Sequence, residues 1–159
     1  MTGLYTIGYE GVDLEDFLST LRAMGVNMLL DVRELPISRR KGFSKAALSE
    51  ALGGAGIAYR HERDLGSPRD VRHRLRESGN MKAFLAEYEA HLARQIELLD
   101  KLAATLRGNV ALMCYESDFR CCHRRVVARE LGHRLSLSPR HIGVRKDHGD
   151  SQGTGVHSG

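Results

Sequence analysis

Short apolar runs alternate with segments of helical period along most of this chain, and that alternation restricts the fold more than any other feature. Residues 4–8 (Leu-Tyr-Thr-Ile-Gly) read as a strand. Leu14, Phe17, Leu18 and Leu21 then follow one helix face from an Asp13 N-cap to Gly25. Residues 26–32 are apolar except for Asn27 and Asp31, as expected of a strand buried on both faces. Ser44 caps a helix through Leu52, Gly53-Gly54 stops it, and residues 57–59 offer a third strand. Ser67-Pro68 supplies an N-cap and an N1 proline for a short helix. Phe84, Leu85, Tyr88, Leu92, Ile96, Leu99 and Leu102 predict one long helix over 81–106. Residues 109–113 read as a buried strand and 126–132 as a helix. A last strand falls at 135–137 or 141–144.

Strands alternating with helices predict an α/β fold: three layers, a mostly parallel sheet with helices on both faces, Rossmann-like in outline. One domain is expected over 1–145. From about Lys146 the chain has almost nothing to bury, so 146–159 are expected to be a flexible, disordered tail. At 159 residues and 42% hydrophobic content the chain suits one globular domain, and disorder of most of it is excluded. No apolar run approaches the ~18 residues that span a bilayer, and no secretory signal is visible, so no membrane partner is expected. The three cysteines cluster between 114 and 122, with Cys121 and Cys122 adjacent, which does not read as a disulfide framework. A reduced, cytoplasmic setting is expected.

In a parallel sheet the strand C-termini share one edge, where such sheets place their ligands. That edge gathers Tyr9 and Glu10, the basic loop from Asp31 to Lys45, Arg60 and His61, and the segment from Cys114 to Arg124. The net charge is only +4, but residues 33–45 hold five cations and one anion, and 118–134 hold five and two. Such concentration predicts an anionic partner. The candidate phosphate ligands are Tyr9, Arg33, Ser38, Arg39, Arg40, Lys45, His61 and Arg124, with a helix N-terminus near Ser44 adding N–H donors. Glu116, Asp31, Glu10, Cys122 and His123 are the candidates for acid–base, nucleophilic or assisting roles. Asp31 and Arg33 read equally well as a pair that fixes the loop. Cys122 also has a packing reading, since Phe119, Cys122 and Val126 share one helical face.

Several motifs fail on inspection. Gly8-Tyr9-Glu10-Gly11 lacks dinucleotide-loop spacing, and no Walker-type loop is present. Cys114 and Arg120 have the C-x5-R spacing of thiol phosphatases, but the insert carries two carboxylates and no glycine. No metal ligand set is assigned and no cofactor is predicted. Zinc stays open as an alternative, drawing on Cys114, Cys121, Cys122, His123 and Glu116 with His61 from another loop. Neighbouring Cys122 and His123 would diverge by roughly 100° on a helix, which argues against their acting as a pair.

Thr6-Ile7-Gly8-Tyr9, Leu30-Asp31-Val32-Arg33, Pro36 with Ser38-Arg39-Arg40, Phe43, Tyr59-Arg60-His61 with Leu65-Gly66, Cys114-Tyr115-Glu116 and Cys122-His123-Arg124 occur in this order. With His141-Ile142 they resemble the family catalogued as domain of unknown function 488, over about residues 4–144. The resemblance implies a compact cytosolic α/β domain and carries no settled activity. Tyr115, where small residues are common in the family, and the extra Cys121 depart from its pattern.

The leading expectation is an enzyme acting on a phosphate-bearing substrate, either a nucleotide or nucleic acid. A non-catalytic nucleotide or nucleic-acid binding module is the alternative. A thiol redox or zinc-binding protein built on the Cys/His segment is the third class. Nine aromatic residues and no Trp leave few stacking platforms for an extended nucleic acid. The long helix reads as either a cover for the sheet or a dimer interface, so the oligomeric state stays open.

Overall fold

The computed structural model describes residues 1–146. The tail expected over 146–159 lies, apart from Lys146, outside the described residues. Five strands form one sheet in the order β3-β2-β4-β1-β5, and every pairing is parallel. They are β1 (Gly3–Gly8), β2 (Met28–Asp31), β3 (Ala58–His61), β4 (Asn109–Cys114) and β5 (Arg140–Ile142). The helices are α1 (Leu14–Ala23), α2 (Lys45–Gly54), α3 (Arg69–Ser78), α4 (Met81–Leu92), α5 (Ile96–Thr105) and α6 (Arg124–Leu135). No helix among the described residues is long and apolar enough to cross a membrane.

Alternation along β4 divides the core. Val110, Leu112 and Cys114 join one cluster with Tyr88 and Leu92 of α4, Leu99 and Leu102 of α5, and Val126, Val127 and Leu131 of α6. Ala111 and Met113 face the other cluster, with Phe17 and Leu21 of α1 and Leu48 and Leu52 of α2. The chain therefore leaves β4 for one face of the sheet and leaves both its neighbours, β1 and β2, for the other. Connections that part in this way open a crevice at the strand C-termini.

Four expected boundaries differ. The helix over 81–106 is broken at 93–95 by a 3-10 turn. That turn advances about 120° per residue rather than 100°. The apolar face is rotated, so Ile96 is 51% exposed while Leu99 and Leu102 are buried. Gly53 and Gly54 do not stop α2 but form its last turn. The chain turns out at Gly56, whose φ of +76° suits glycine. Pro68 is the N-cap of α3 rather than its first residue, and the last strand takes residues 140–142. Residues 135–137 cannot extend because Ser136 ends α6 in the left-handed region at φ 56°.

The loop after β2 is held by a buried ion pair. Arg33 donates from Nη2 and Nε to the two Asp31 carboxylate oxygens at 2.7 and 2.9 Å, and both residues are buried. Its Nη1 donates to the Tyr9 hydroxyl at 3.1 Å and to the Phe43 carbonyl at 2.7 Å. Tyr59 donates to Asp31 Oδ2 at 2.6 Å, and His61 Nε2 donates to the Arg33 carbonyl at 2.7 Å. One pair thus ties β1, β2, β3 and the basic loop together. Removing one partner of a buried pair costs about 3–5 kcal/mol, because the other charge is stranded. Asp31→Asn is expected to lose that much unfolding free energy in urea titrations. The Asp31→Leu/Arg33→Met double variant is expected to lose less than the single one.

Candidate functional site

A crevice of about 880 Å³ opens at the C-terminal ends of β1, β2 and β4. Tyr9 lies at the end of β1, and residues 33–40 form the basic wall. Cys114, Tyr115 and Glu116 leave β4, and His123 stands before α6. Ser67, with Arg72, Leu75 and Arg76 of α3 and Phe84 of α4, closes the far side. The first crossing of this edge depends on Gly8. A Cβ there would stand 1.8 Å from the Glu116 carbonyl oxygen, so only glycine lets the β4 loop pass over the end of β1. The Tyr9 and Glu10 amides donate to the Tyr115 carbonyl at 3.1 and 2.8 Å, which fixes the crossing.

The predicted phosphate ligands divide sharply. Arg33 is held by Asp31, as described above. Arg40 donates to the Val12 carbonyl and to Asp13 Oδ1. Ser38 accepts from the Arg40 amide, and Ser44 bonds the Ser38 backbone in both directions. The Lys45 amide donates to the Pro36 carbonyl at 2.8 Å, so the loop itself occupies the start of α2. Lys45 and His61 are not among the crevice residues. Arg39 is exposed in the crevice wall, and no hydrogen bond or ion pair ties it to another described residue. Arg76 is in the same condition on the facing wall. Sequence reasoning passed over Arg72 and Arg76. Their signal was the cation-rich stretch 60–76, but only the packing of α3 on α4 turns it toward this edge.

Among the acidic candidates, Asp31 has its carboxylate occupied by Arg33 and Tyr59. Glu10 accepts from the Ser117 amide at 3.1 Å and clasps the β4 loop from outside the crevice. Glu116 alone of the three lines the crevice. Burial pushes its carboxyl above the ordinary range, and the Arg124 guanidinium only partly opposes this.

The thiol segment is more compact than its sequence suggests. Cys114 and Cys122 bring their sulfurs to covalent bonding distance, 2.00 Å, although their Cα atoms stand 7.4 Å apart. The expectation of unpaired cysteines is corrected for these two residues, and Cys121 alone is free and exposed. The C-x5-R reading places the wrong arginine, since Arg120 is exposed and paired with Asp118. Arg124 is the cation that reaches Cys114, donating from Nη1 to its sulfur at 3.2 Å. Buried to 1% exposure, Arg124 also donates to the Glu116 and Ser117 carbonyls, so its guanidinium braces the β4 loop from below. Burial lowers its pKa to about 10, which leaves it charged at neutral pH.

Cys122 and His123 do converge, contrary to the helical argument. Cys122 is extended (φ −133°, ψ 142°) and His123 is the N-cap of α6, so neither lies within a helix. His123 Nδ1 stands 3.8 Å from the Cys122 sulfur. Its Nε2 donates to the Val32 carbonyl at 2.7 Å, and the ring meets Tyr88 edge-on. Burial lowers its pKa to about 4, so the ring is neutral.

The geometry defines a class: a parallel α/β domain with an arginine-lined crevice at its strand ends and one carboxyl raised by burial. Within that class the chain belongs to the family described as domain of unknown function DUF488, whose model matches residues 13–131. No curated protein and no solved structure matches it.

A raised carboxyl pKa disfavours the charged form in the folded state. The resulting destabilisation is present above the raised value and absent below the ordinary range near 4.5. Glu116→Gln is therefore expected to raise the melting temperature at pH 7 and to leave it unchanged near pH 4. Thermal unfolding of both proteins across that range checks this.

Proposed function

We propose that this protein is an enzyme acting on a phosphate-bearing substrate, a nucleotide or a segment of nucleic acid, bound in the strand-edge crevice. The observation that carries the reading is the pairing of unengaged cations with an apolar rim. Arg39 and Arg76 line the crevice with no hydrogen-bond or ion-pair partner among the described residues, beside Leu35, Ile37 and Tyr115, which are 52%, 72% and 46% exposed. A ligand that satisfies both has an anionic group and a flat or apolar body, as a nucleotide does. Arg39 and Arg76 hold the phosphate, in the bidentate manner that guanidinium favours. Ile37 and Tyr115 cover a base or sugar.

Glu116 supplies the chemistry. A carboxyl held protonated beyond its ordinary range can donate a proton to a departing oxygen, and a volume of about 880 Å³ admits a nucleotide beside it. A binding module without turnover would use the same arginines and rim and would need no acid. The two readings part at Glu116.

Melting-temperature shifts against nucleotides, sugar phosphates and short DNA and RNA oligomers select the ligand class. The Arg39→Ala/Arg76→Ala variant is expected to bind the selected ligand at least about tenfold more weakly, the equivalent of roughly 1.4 kcal/mol. Glu116→Gln is expected to keep the shift and abolish turnover. A ligand shift that survives the loss of both arginines sinks the crevice reading. Binding with no turnover in the unaltered protein converts it to a binding module.

A further inference from the structure

We propose that Cys114, Cys122 and His123 form a binding site for zinc, with the fourth coordination position facing the crevice beside Glu116. The site lies in the crevice wall but rests on a different observation from the phosphate reading, and neither depends on the other. The donor atoms of the three residues all lie within 4.8 Å of one another, and all three residues are buried. They come from two elements, β4 and the turn before α6, whose positions are fixed by the sheet and by Arg124.

The histidine is oriented as a ligand. A carbonyl can only accept, so the 2.7 Å contact with Val32 assigns the proton to Nε2 and leaves Nδ1 with a free lone pair 3.8 Å from the Cys122 sulfur. Metal-bound histidines characteristically give their other N–H to such a carbonyl. The sulfurs have matching outer partners, since Arg124 Nη1 points at Cys114 at 3.2 Å and the Arg124 amide at Cys122 at 3.5 Å. N–H groups aimed at sulfur stabilise the thiolates that a metal requires.

The cysteine backbone spacing also suits an ion. The Cα separation of 7.4 Å exceeds the 4.4–6.8 Å that disulfides usually span. Two thiolates about 2.3 Å from one shared zinc stand farther apart than two bonded sulfurs. Two cysteines and a histidine with one open position are a known catalytic zinc donor set. The Glu116 carboxylate, 3.7 Å from the Cys114 sulfur, borders that open position. Cys121 takes no part, being exposed with its sulfur 3.9 Å from Asp118. His61 is held at the Arg33 carbonyl.

Zinc needs the reduced pair. A dithiol or phosphine reductant delivers two electrons to the Cys114–Cys122 bond, two protons complete the two thiols, and zinc binding releases both protons to solvent. The full chain, reduced with a phosphine, stripped of metal and kept anaerobic, is titrated with cobalt(II). One equivalent is expected to bind, with a thiolate-to-cobalt charge-transfer band and the ligand-field bands of a tetrahedral site, and one equivalent of zinc displaces it. Cys122→Ser is expected to weaken uptake at least tenfold, and Cys121→Ser to leave it unchanged. If the Cys122 variant does not fold, X-ray absorption of the zinc-loaded unaltered protein decides, with two sulfur neighbours expected at about 2.3 Å. Absence of stoichiometric uptake, uptake indifferent to Cys122, or a metal without sulfur neighbours overturns the proposal. The phosphate reading survives any of these results, because its readout is the loss of ligand binding in the Arg39/Arg76 variant.

Discussion

The buried Asp31–Arg33 pair is the contact on which the working edge of this molecule depends. Two charges only two residues apart, both withdrawn from water, must satisfy every remaining donor and acceptor or destabilise the fold. Here the remaining donors and acceptors reach Tyr9 just past β1, Tyr59 within β3 and the Phe43 carbonyl across the loop. Tyr9 stacks on Phe43 with ring centroids 4.5 Å apart, and Phe43 meets Phe17 of α1 edge-on. Electrostatic satisfaction and aromatic packing thus set the same geometry. A loop with five cations in thirteen residues would otherwise repel itself, and it is fixed because one of those cations is internal.

This division of labour explains why Arg33 and Arg39 differ so completely. Arg33 builds the wall, while Arg39, six residues on, faces open space from it. Arg124 and Arg76 repeat the contrast on the other side. Arg124 lies beneath the β4 loop with three groups to hold, and Arg76 projects from an exposed helix turn. In each case the buried guanidinium gives rigidity, and the exposed one has no hydrogen-bond or ion-pair partner among the described residues. Glu116 follows the same strand edge, its backbone passing over Gly8, and stands half-buried in the crevice wall.

Much of this was legible in the chain itself. Alternating strand and helix periods fixed an α/β sheet, and Gly8, Asp31-Arg33 and Cys114-Tyr115-Glu116 stood at strand ends where a parallel sheet gathers its chemistry. Periodicity could not tell which arginines point outward, because that depends on carbonyls and carboxylates contributed by distant segments. The arginines of α3 were invisible as site residues for the same reason, since their orientation comes from packing on α4. The error at Cys122 and His123 was local. A helical geometry was assumed one turn too early, and an extended residue at 122 makes neighbours converge that a helix would separate. At residues 93–95 no proline or glycine marks the break, and only the exposed Ile96 betrays the rotated face.

The strand order also bears on how the protein comes into being. β1 and β2 never touch each other; β4 lies between them and is the only partner they share. Until residue 114 has left the ribosome, β1 has no neighbour in the sheet, and β2 and β3 form an isolated pair. Contacts so distant in sequence close slowly. The strand that joins β1 to β2 also carries Cys114 and leads directly into Glu116, with α6 and the edge strand β5 still to follow. Nascent chains that stop short of it lack the central strand that feeds both core clusters, and with it the segment that forms the β4 side of the crevice.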